Sequence, residues 1–408
     1  MGAEGICITG IGLVTPAGQD LVSTWRTLCA GRSLAATDPA LTGLPVDFSC
    51  RVKELQVEQE VGPQRARRTD RFTHLALAAA RRAVLDAELE AHRWNGERVG
   101  IILGVGSNSL ETYPTEFRRL TDGKPTAVSP WAVTRSVPST VAADLAIELG
   151  AHGPVFTVST ACASGATALG LARDLLRAGT CDIVLAGGSE SGRAQMTATC
   201  FAQIRALSRR RDRPHLACRP FDLDRDGFVL GEGAAILVLE RATHARRRSK
   251  APRALLRGFA TTSDAYSHAA PHPDGMGAER ALRAALADAG CGLRDVDHIN
   301  AHAASTPLGD AAEAAMLRRL FDGTTPPVTA TKSVIGHALG ASAAIEAAVT
   351  VQALQHQAVP PTANLETQDP GVELDVVTTE LRRVPMNVAV STSFGFGGSN
   401  AVLVLSTP

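Results

Sequence analysis

The chain has 408 residues and equal numbers of basic and acidic side chains, 41 of each, so no net charge draws it towards nucleic acid or an anionic membrane. Hydrophobic residues make up 45% and aromatics only 4%. Such a core is built from Ala, Val, Leu and Ile in helices packed closely on sheets, and a chain this long forms two lobes or one large compound domain. The eight cysteines show no CxxC pair and no zinc-like spacing, which reads as reduced thiols of a cytoplasmic protein without a metal site. The first residues lack a signal-peptide pattern, and no apolar stretch reaches transmembrane length.

In chain order, residues 5–14 read as a strand ending at Thr15-Pro16, and residues 18–29 as a helix. Residues 34–63, with Pro39, Gly43 and Pro45, read as an irregular surface excursion. A periodic Ala-rich helix follows at 71–89, a strand at 99–105, a loop at 114–129 and a helix at 139–149. Residues 155–158, Val-Phe-Thr-Val, have the composition of a buried strand, and an apolar helix runs from Gly165 to Leu176. Strands follow at 181–187 and 234–239, with the turn-rich Asp222–Gly227 before the second. The basic stretch 241–253 separates an N-terminal half, 1–246, from a C-terminal half, 247–408.

The second half repeats the order of the first. An Ala-rich helix at 278–290 leads to a strand at 296–301, and a short strand at 328–332 leads through a polar turn to an Ala-rich helix at 338–354. Strands alternating with helices in two similar halves predict a duplicated, layered α/β fold.

Cys162 lies at the hinge between a strand and the helix that starts near Gly165. Unpaired amides and the helix dipole at such a point lower a thiol's pKa and make it a nucleophile, although a small apolar thiol among alanines also serves as core filling. Two polar clusters in the second half also follow strands, where α/β folds place their chemistry: Asn300-Ala-His302 and Lys332-Ser-Val-Ile-Gly-His337. A cysteine and histidines brought together supply what is needed to activate a thiol and to manage carbonyl charge. The glycine-dense segment 394–400, Phe-Gly-Phe-Gly-Gly-Ser-Asn, lets backbone amides approach a substrate and form an oxyanion hole; a phosphate-binding turn or a plain tight turn are the other readings.

Thr160-Ala-Cys162-Ala-Ser-Gly165, Asn300-Ala-His302, Lys332–His337 and Phe394–Asn400, together with Arg205-Ala-Leu-Ser208 and Arg219–Gly233, occur in an order that resembles the elongating β-ketoacyl-acyl carrier protein synthases. The resemblance runs from Ile8 to the C-terminus. It implies the thiolase fold, five αβαβα layers in two pseudo-symmetric halves, and a homodimer or a heterodimer with a related subunit. It also implies an acyl transfer from a carrier protein to Cys162, then decarboxylation of a malonyl carrier thioester and attack of the resulting carbanion on the acyl group, in a fatty acid or polyketide pathway. No cofactor is implied beyond the carrier's phosphopantetheine.

By the same resemblance, His302 and His337 hold the malonyl carbonyl, and Lys332 orients the site by pairing with Glu346. The amides of Cys162 and Phe396 form the oxyanion hole, Phe396 gates the acyl pocket, and Thr306, Phe394, Gly395 and Gly397 meet the substrate. Asn300, Glu346, Ser391 and Asn400 surround a structural monovalent cation in this family, and Arg65, Arg67, Arg68 and Arg205 occupy positions of its docking surface for an acidic carrier. One departure stands out. Gly-Thr usually follows the first histidine, and this chain has Ala303-Ala304. The threonine hydroxyl that binds pantetheine is lost, and the methyl of Ala303 is expected to crowd the channel, which favours a specialised pathway. A non-elongating acyltransferase and a partner or chain-length subunit are the alternatives; Cys162 argues against the second, because such subunits usually lack it.

Overall fold

The structure is a computed structural model and describes residues 6–408; Gly5, placed by the sequence at the start of the first strand, lies outside the described residues. The main strands are β1 (Ile6–Val14), β2 (Val99–Gly104), β3 (Val155–Val158), β4 (Ile183–Ser191) and β5 (Glu232–Arg241), then β6 (Ala254–Ser263), β7 (His298–Asn300), β8 (Val328–Thr329), β9 (Val388–Gly395) and β10 (Ser399–Ser406). The first five are ordered β3-β2-β4-β5-β1 and the second five β8-β7-β9-β10-β6. In each set the first three strands run parallel and the last two join antiparallel. Order and direction therefore repeat. β1 pairs with β6 over Ile6–Ile8, which joins the two sheets edge to edge.

The helices repeat as well: α1 (Arg71–Asp86), α2 (Ser139–Leu149) and α3 (Ser164–Arg177) in the first half, α4 (Met276–Ala289), α5 (Pro307–Leu320) and α6 (Ser342–His356) in the second. α3 and α6 pack together between the sheets, and their Ala-rich faces make the central core with inward residues of both sheets, such as Ile8, Leu237 and Leu403. α1 and α2 cover the outer face of the first sheet, and α4 and α5 that of the second. Five layers result, as the resemblance implies. Small residues bring the central helices close: a Cβ on Gly165 would come within 2.7 Å of the Ala344 amide nitrogen.

Four readings of the sequence are corrected. Residues 34–63 are not a surface excursion; a hairpin of Ala36–Thr37 and Phe48–Ser49 buries Leu41, Phe48 and Cys50 in a satellite core with Leu207, Phe228 and Leu230. The prolines and glycine there mark turns within a packed segment. The stretch 114–129 contains a helix, Tyr113–Thr121, whose Pro114 sits in the first turn, where its missing N–H costs nothing. β3 is an exposed edge strand rather than a buried one, with Phe156 50% exposed. Lys332 does not end a strand: it opens a short helix, Lys332–Ile335, and is wholly buried.

Candidate active site

The chain leaves β3 at Val158 and turns through Ala161, which holds a left-handed φ of 49°. A non-glycine residue there is strained, so the turn is held by its surroundings. The Ser164 hydroxyl accepts from the Thr160 amide at 3.0 Å and donates to the Ala161 carbonyl at 2.6 Å, closing the turn before α3. Cys162 projects from this turn into a cavity of about 590 Å³, also lined by Phe201, Phe228, Leu339 and Phe394. The walls overrule the expected effect of the helix terminus. Burial pushes the thiol up to about 11, against the opposing pull of Lys332 and of the nearby Phe396 amide. In the resting chain the sulfur keeps its proton.

Two imidazoles from the second half meet that sulfur's cavity. His337 Nε2 lies 3.1 Å from Cys162 Sγ, and its Nδ1 lies 2.9 Å from the Ser342 hydroxyl at the start of α6. His302, just beyond β7, stands with its ring centre 5.5 Å from that of His337. Lys332 donates to the His302 carbonyl at 2.6 Å, to His302 Nδ1 at 3.3 Å, and to Glu346 on α6. An ammonium only donates, so His302 Nδ1 accepts, and the ring carries its proton on Nε2. Burial holds both imidazoles neutral, well below the usual histidine range, and the charge of Lys332 pushes the same way. Burial also raises Glu346 to about 7 despite its bond to Lys332.

The glycine-dense segment is the crossing from β9 to β10. Gly395 must be glycine because a Cβ would come within 2.8 Å of the Thr160 carbonyl and 3.0 Å of the Cys162 amide. The Phe396 ring packs on Phe201, with ring centres 6.0 Å apart, and both line the cavity. Phe394 stands against His302, 5.7 Å between ring centres. Gly397 holds a left-handed φ of 81° and donates its N–H to the His268 carbonyl.

Asn300 donates to Thr331, Thr350 and the Glu346 carbonyl, and Ser391 lies beside it in register on β9. Among the described residues Glu346 Oε2 and Ser391 Oγ are buried without a partner, so this oxygen-rich spot fits the cation the family implies. Asn400 does not belong to it, because its amide donates to Asp264 and to the Gly398 carbonyl.

Thr306 lines the cavity and caps α5 through its hydroxyl, which accepts from the Gly309 amide at 3.2 Å. Ala304 lines the cavity as well, whereas Ala303 is absorbed into the outer core of the second half. The expected crowding of the channel by the Ala303 methyl is therefore corrected. Of the four arginines, Arg67, Arg68 and Arg205 are exposed, and Arg68 lies over the Trp131 ring. Arg65 is tied to Glu148 and Asp144 and offers no free charge. Arg205 stands at the cavity itself.

Sequence reasoning missed Ser342 and a second acid. Glu313 on α5 accepts from the amides of His302 and Ala303, at 3.0 and 2.8 Å, and from Thr392 at 2.7 Å, fixing the backbone that presents His302. Its signal was a pair of acids, Asp310 and Glu313, in an otherwise Ala-rich stretch.

Residues 3–245 match the beta-ketoacyl synthase N-terminal domain and residues 253–366 the C-terminal domain of the same family. The chain is 38% identical over 403 residues to 3-oxoacyl-[acyl-carrier-protein] synthase 2 of Staphylococcus aureus strain COL, covering 98% of this chain and 97% of that protein. Among solved structures, it superimposes on the ishigamide ketosynthase/chain length factor with a TM-score of 0.93 at 30% identity and full coverage of both chains. It also matches AntDE:AntF, a type II polyketide synthase acyl-carrier protein in complex with its ketosynthase, with a TM-score of 0.91, 30% identity and full coverage of both.

Proposed function

The chain belongs to the β-ketoacyl synthase family, and from that premise we propose that it is a ketosynthase joining an acyl thioester to malonyl-acyl carrier protein, with loss of carbon dioxide, to give a 3-oxoacyl-carrier protein. The observation that carries this reading is the meeting of Cys162, His302 and His337 at one cavity, with Lys332 buried behind His302 and bonded to it.

In the first stage His337 Nε2 takes the Cys162 proton as sulfur attacks the acyl carbonyl, and the proton leaves on the carrier's thiol. The amides of Cys162 and Phe396 hold the transient oxyanion. In the second stage the electrons of the breaking carbon–carboxylate bond of malonyl form an enolate. Its oxygen accepts from His302 Nε2–H, the tautomer set by Lys332, and from His337. The Ser342 hydroxyl either accepts from or donates to His337 Nδ1, so both neutral tautomers fit the site, and exchange of the single ring proton with solvent between the stages turns Nε2 from acceptor to donor. The enolate carbon then attacks the acyl-cysteine carbonyl and releases Cys162 as a thiolate, which takes up one proton from solvent through His337 to restore the resting thiol. A monovalent cation, when bound by Glu346 and Ser391, supplies positive charge that fixes the Glu346 carboxylate.

The substrate arrives on an acidic carrier. Arg205 is exposed at the cavity, Arg209 and Arg213 are exposed further along the same stretch of chain, and among the described residues no acidic side chain forms an ion pair with them, which supports docking there. The exposed β3 edge, with Val155 and Phe156, supports pairing with a second ketosynthase-like subunit. We assign the halves to 1–246 and 247–408 and the working compartment to the cytoplasm; among the described residues no helix is long and apolar enough to cross a membrane.

Incubation with acyl- and malonyl-carrier proteins, followed by intact mass measurement, tests the function. An acyl adduct lost in Cys162→Ala, with carbon dioxide released only in its presence, is expected. No adduct overturns both ketosynthase and acyltransferase, and an adduct with no carbon dioxide release leaves the acyltransferase.

A further inference from the structure

Glu190, near the end of β4, is 2% exposed and takes no part in the chemistry above. Its Oε2 accepts from the Gly106 amide at 2.6 Å. The amides of Gly340 and Ser107 and the Ser107 hydroxyl are the other donors close enough to pull on the carboxyl, with no cation among them; the Ser107 hydroxyl itself donates to the Asn108 carbonyl at 3.3 Å. Burial pushes the group up to about 8 against their pull, so hydrogen bonding more than charge makes the contact.

The donors come from both halves. Gly106 follows β2 and is linked to the nucleophile turn, since Val105 donates to the Val158 carbonyl at 3.0 Å and the Ser159 hydroxyl to the Gly106 carbonyl at 3.2 Å. Gly340 lies between His337 and Ser342, the two residues that set the second imidazole. The loops approach too closely for any side chain. A Cβ on Gly340 would lie 2.2 Å from the Gly106 nitrogen and 2.9 Å from Glu190 Oε2, and one on Gly106 would lie 2.8 Å from the same oxygen.

We propose that Glu190 is a positioning residue that sets the Cys162–His337 contact by holding one loop of each half on a single carboxyl group. The proposal rests on the assignment of that pair to acyl transfer. Withdrawing the carboxyl by one methylene frees at least one loop.

The test is Glu190→Asp in the full-length protein, read in two ways: single-turnover acylation of Cys162 followed by intact mass, and alkylation of Cys162 by iodoacetamide at pH 7. Acylation is expected to slow tenfold or more with the KM for acyl carrier within twofold of wild type, and alkylation to slow at least fivefold. A merely structural residue lowers the melting temperature and leaves both rates of the folded enzyme near wild type; both rates within twofold, or a loss confined to KM, overturns the proposal. If Glu190→Asp does not fold, Glu190→Gln keeps the side-chain length while replacing one accepting oxygen by a donor, and a threefold loss in both rates is expected against none. Alkylation needs no acyl donor. A wild-type protein that alkylates but never acylates therefore fails the functional reading, while the alkylation rates still decide this one.

Discussion

His337 Nε2 lies 3.1 Å from the sulfur of Cys162, a residue 175 positions earlier in the chain and in the other half of the fold. Burial makes each group the complement of the other: a thiol raised to about 11 that keeps its proton, and an imidazole held neutral with a nitrogen free to take it. Removing the acceptor leaves a poor nucleophile. His337→Gln is expected to slow alkylation of Cys162 at pH 7 by about 10²-fold or more, the usual worth of a placed base. Because the thiolate is the reacting form, the remaining rate should climb steadily as pH rises towards 11. A variant with wild-type rate at pH 7 would show that the sulfur ionises without help.

Lys332 acts on the second stage. Its ammonium fixes His302 with the proton on Nε2, and Lys332→Met removes that constraint while nearly keeping the volume. Breaking a buried ion pair costs about 3–5 kcal/mol when the partner stays charged. Glu346, already raised to about 7, takes up a proton instead and softens that loss. The variant is expected to fold, to form the acyl adduct on Cys162, and to release labelled carbon dioxide from malonyl carrier at least 100-fold more slowly. Equal slowing of both stages would place Lys332 elsewhere in the reaction.

The duplication was legible because periodicity and β-branched runs report burial directly, and the strand–turn–helix order around Cys162 and Lys332 recurs in the topology. What could not be read was solvent exposure set by position in a sheet. Val155–Val158 has core composition, yet it lies at an edge. The thiol's ionisation was misjudged for a related reason: a helix terminus is visible in sequence, whereas the apolar wall of Phe201, Phe228, Leu339 and Phe394 is assembled from four separate segments. Glu190 and Glu313 escaped because backbone amides, which carry no residue signature, make most of their hydrogen bonds.

Carrier docking should respond to charge. Arg205→Glu combined with Arg209→Glu is expected to raise the KM for acyl-carrier protein about tenfold and to reduce the dependence of the rate on salt, because exposed charges act through a screened field. Activity with a short pantetheine thioester lacking the carrier should stay within twofold. A matching loss with that small donor would mean that the substitutions had disturbed the cavity at Arg205.

His298 links the fold to pH. The ring is fully buried on β7, donates from Nδ1 to the Pro327 carbonyl at 2.9 Å, and leaves Nε2 without a partner. Burial lowers it to about 4 from 6.5. With the folded pKa below the unfolded one, its contribution is complete above pH 6.5 and is lost as pH falls from there towards 4. Between pH 7 and 5 the loss amounts to about 2 kcal/mol. His298→Asn keeps a donor for Pro327 and removes the titration, so urea unfolding of the variant should change less between these pH values than that of wild type. An unchanged difference would assign the acid sensitivity to other groups.

Two glycines of one crossing separate catalysis from stability. A Cβ on Gly395 meets the Thr160 carbonyl at 2.8 Å and the Cys162 amide at 3.0 Å, so Gly395→Ala must displace the turn that carries both nucleophile and oxyanion donor. Losing one such donor costs about 10²–10³ in rate. Acylation is expected to fall by that order while the core, untouched, keeps its melting temperature within a few degrees. A Cβ on Gly397 meets nothing within 4 Å, and the only penalty is a left-handed φ of 81°, worth about 1–2 kcal/mol for alanine. Gly397→Ala should therefore lose stability in urea and acylate within threefold of wild type. The reverse pattern would remove the first glycine from the reaction and place the second in it.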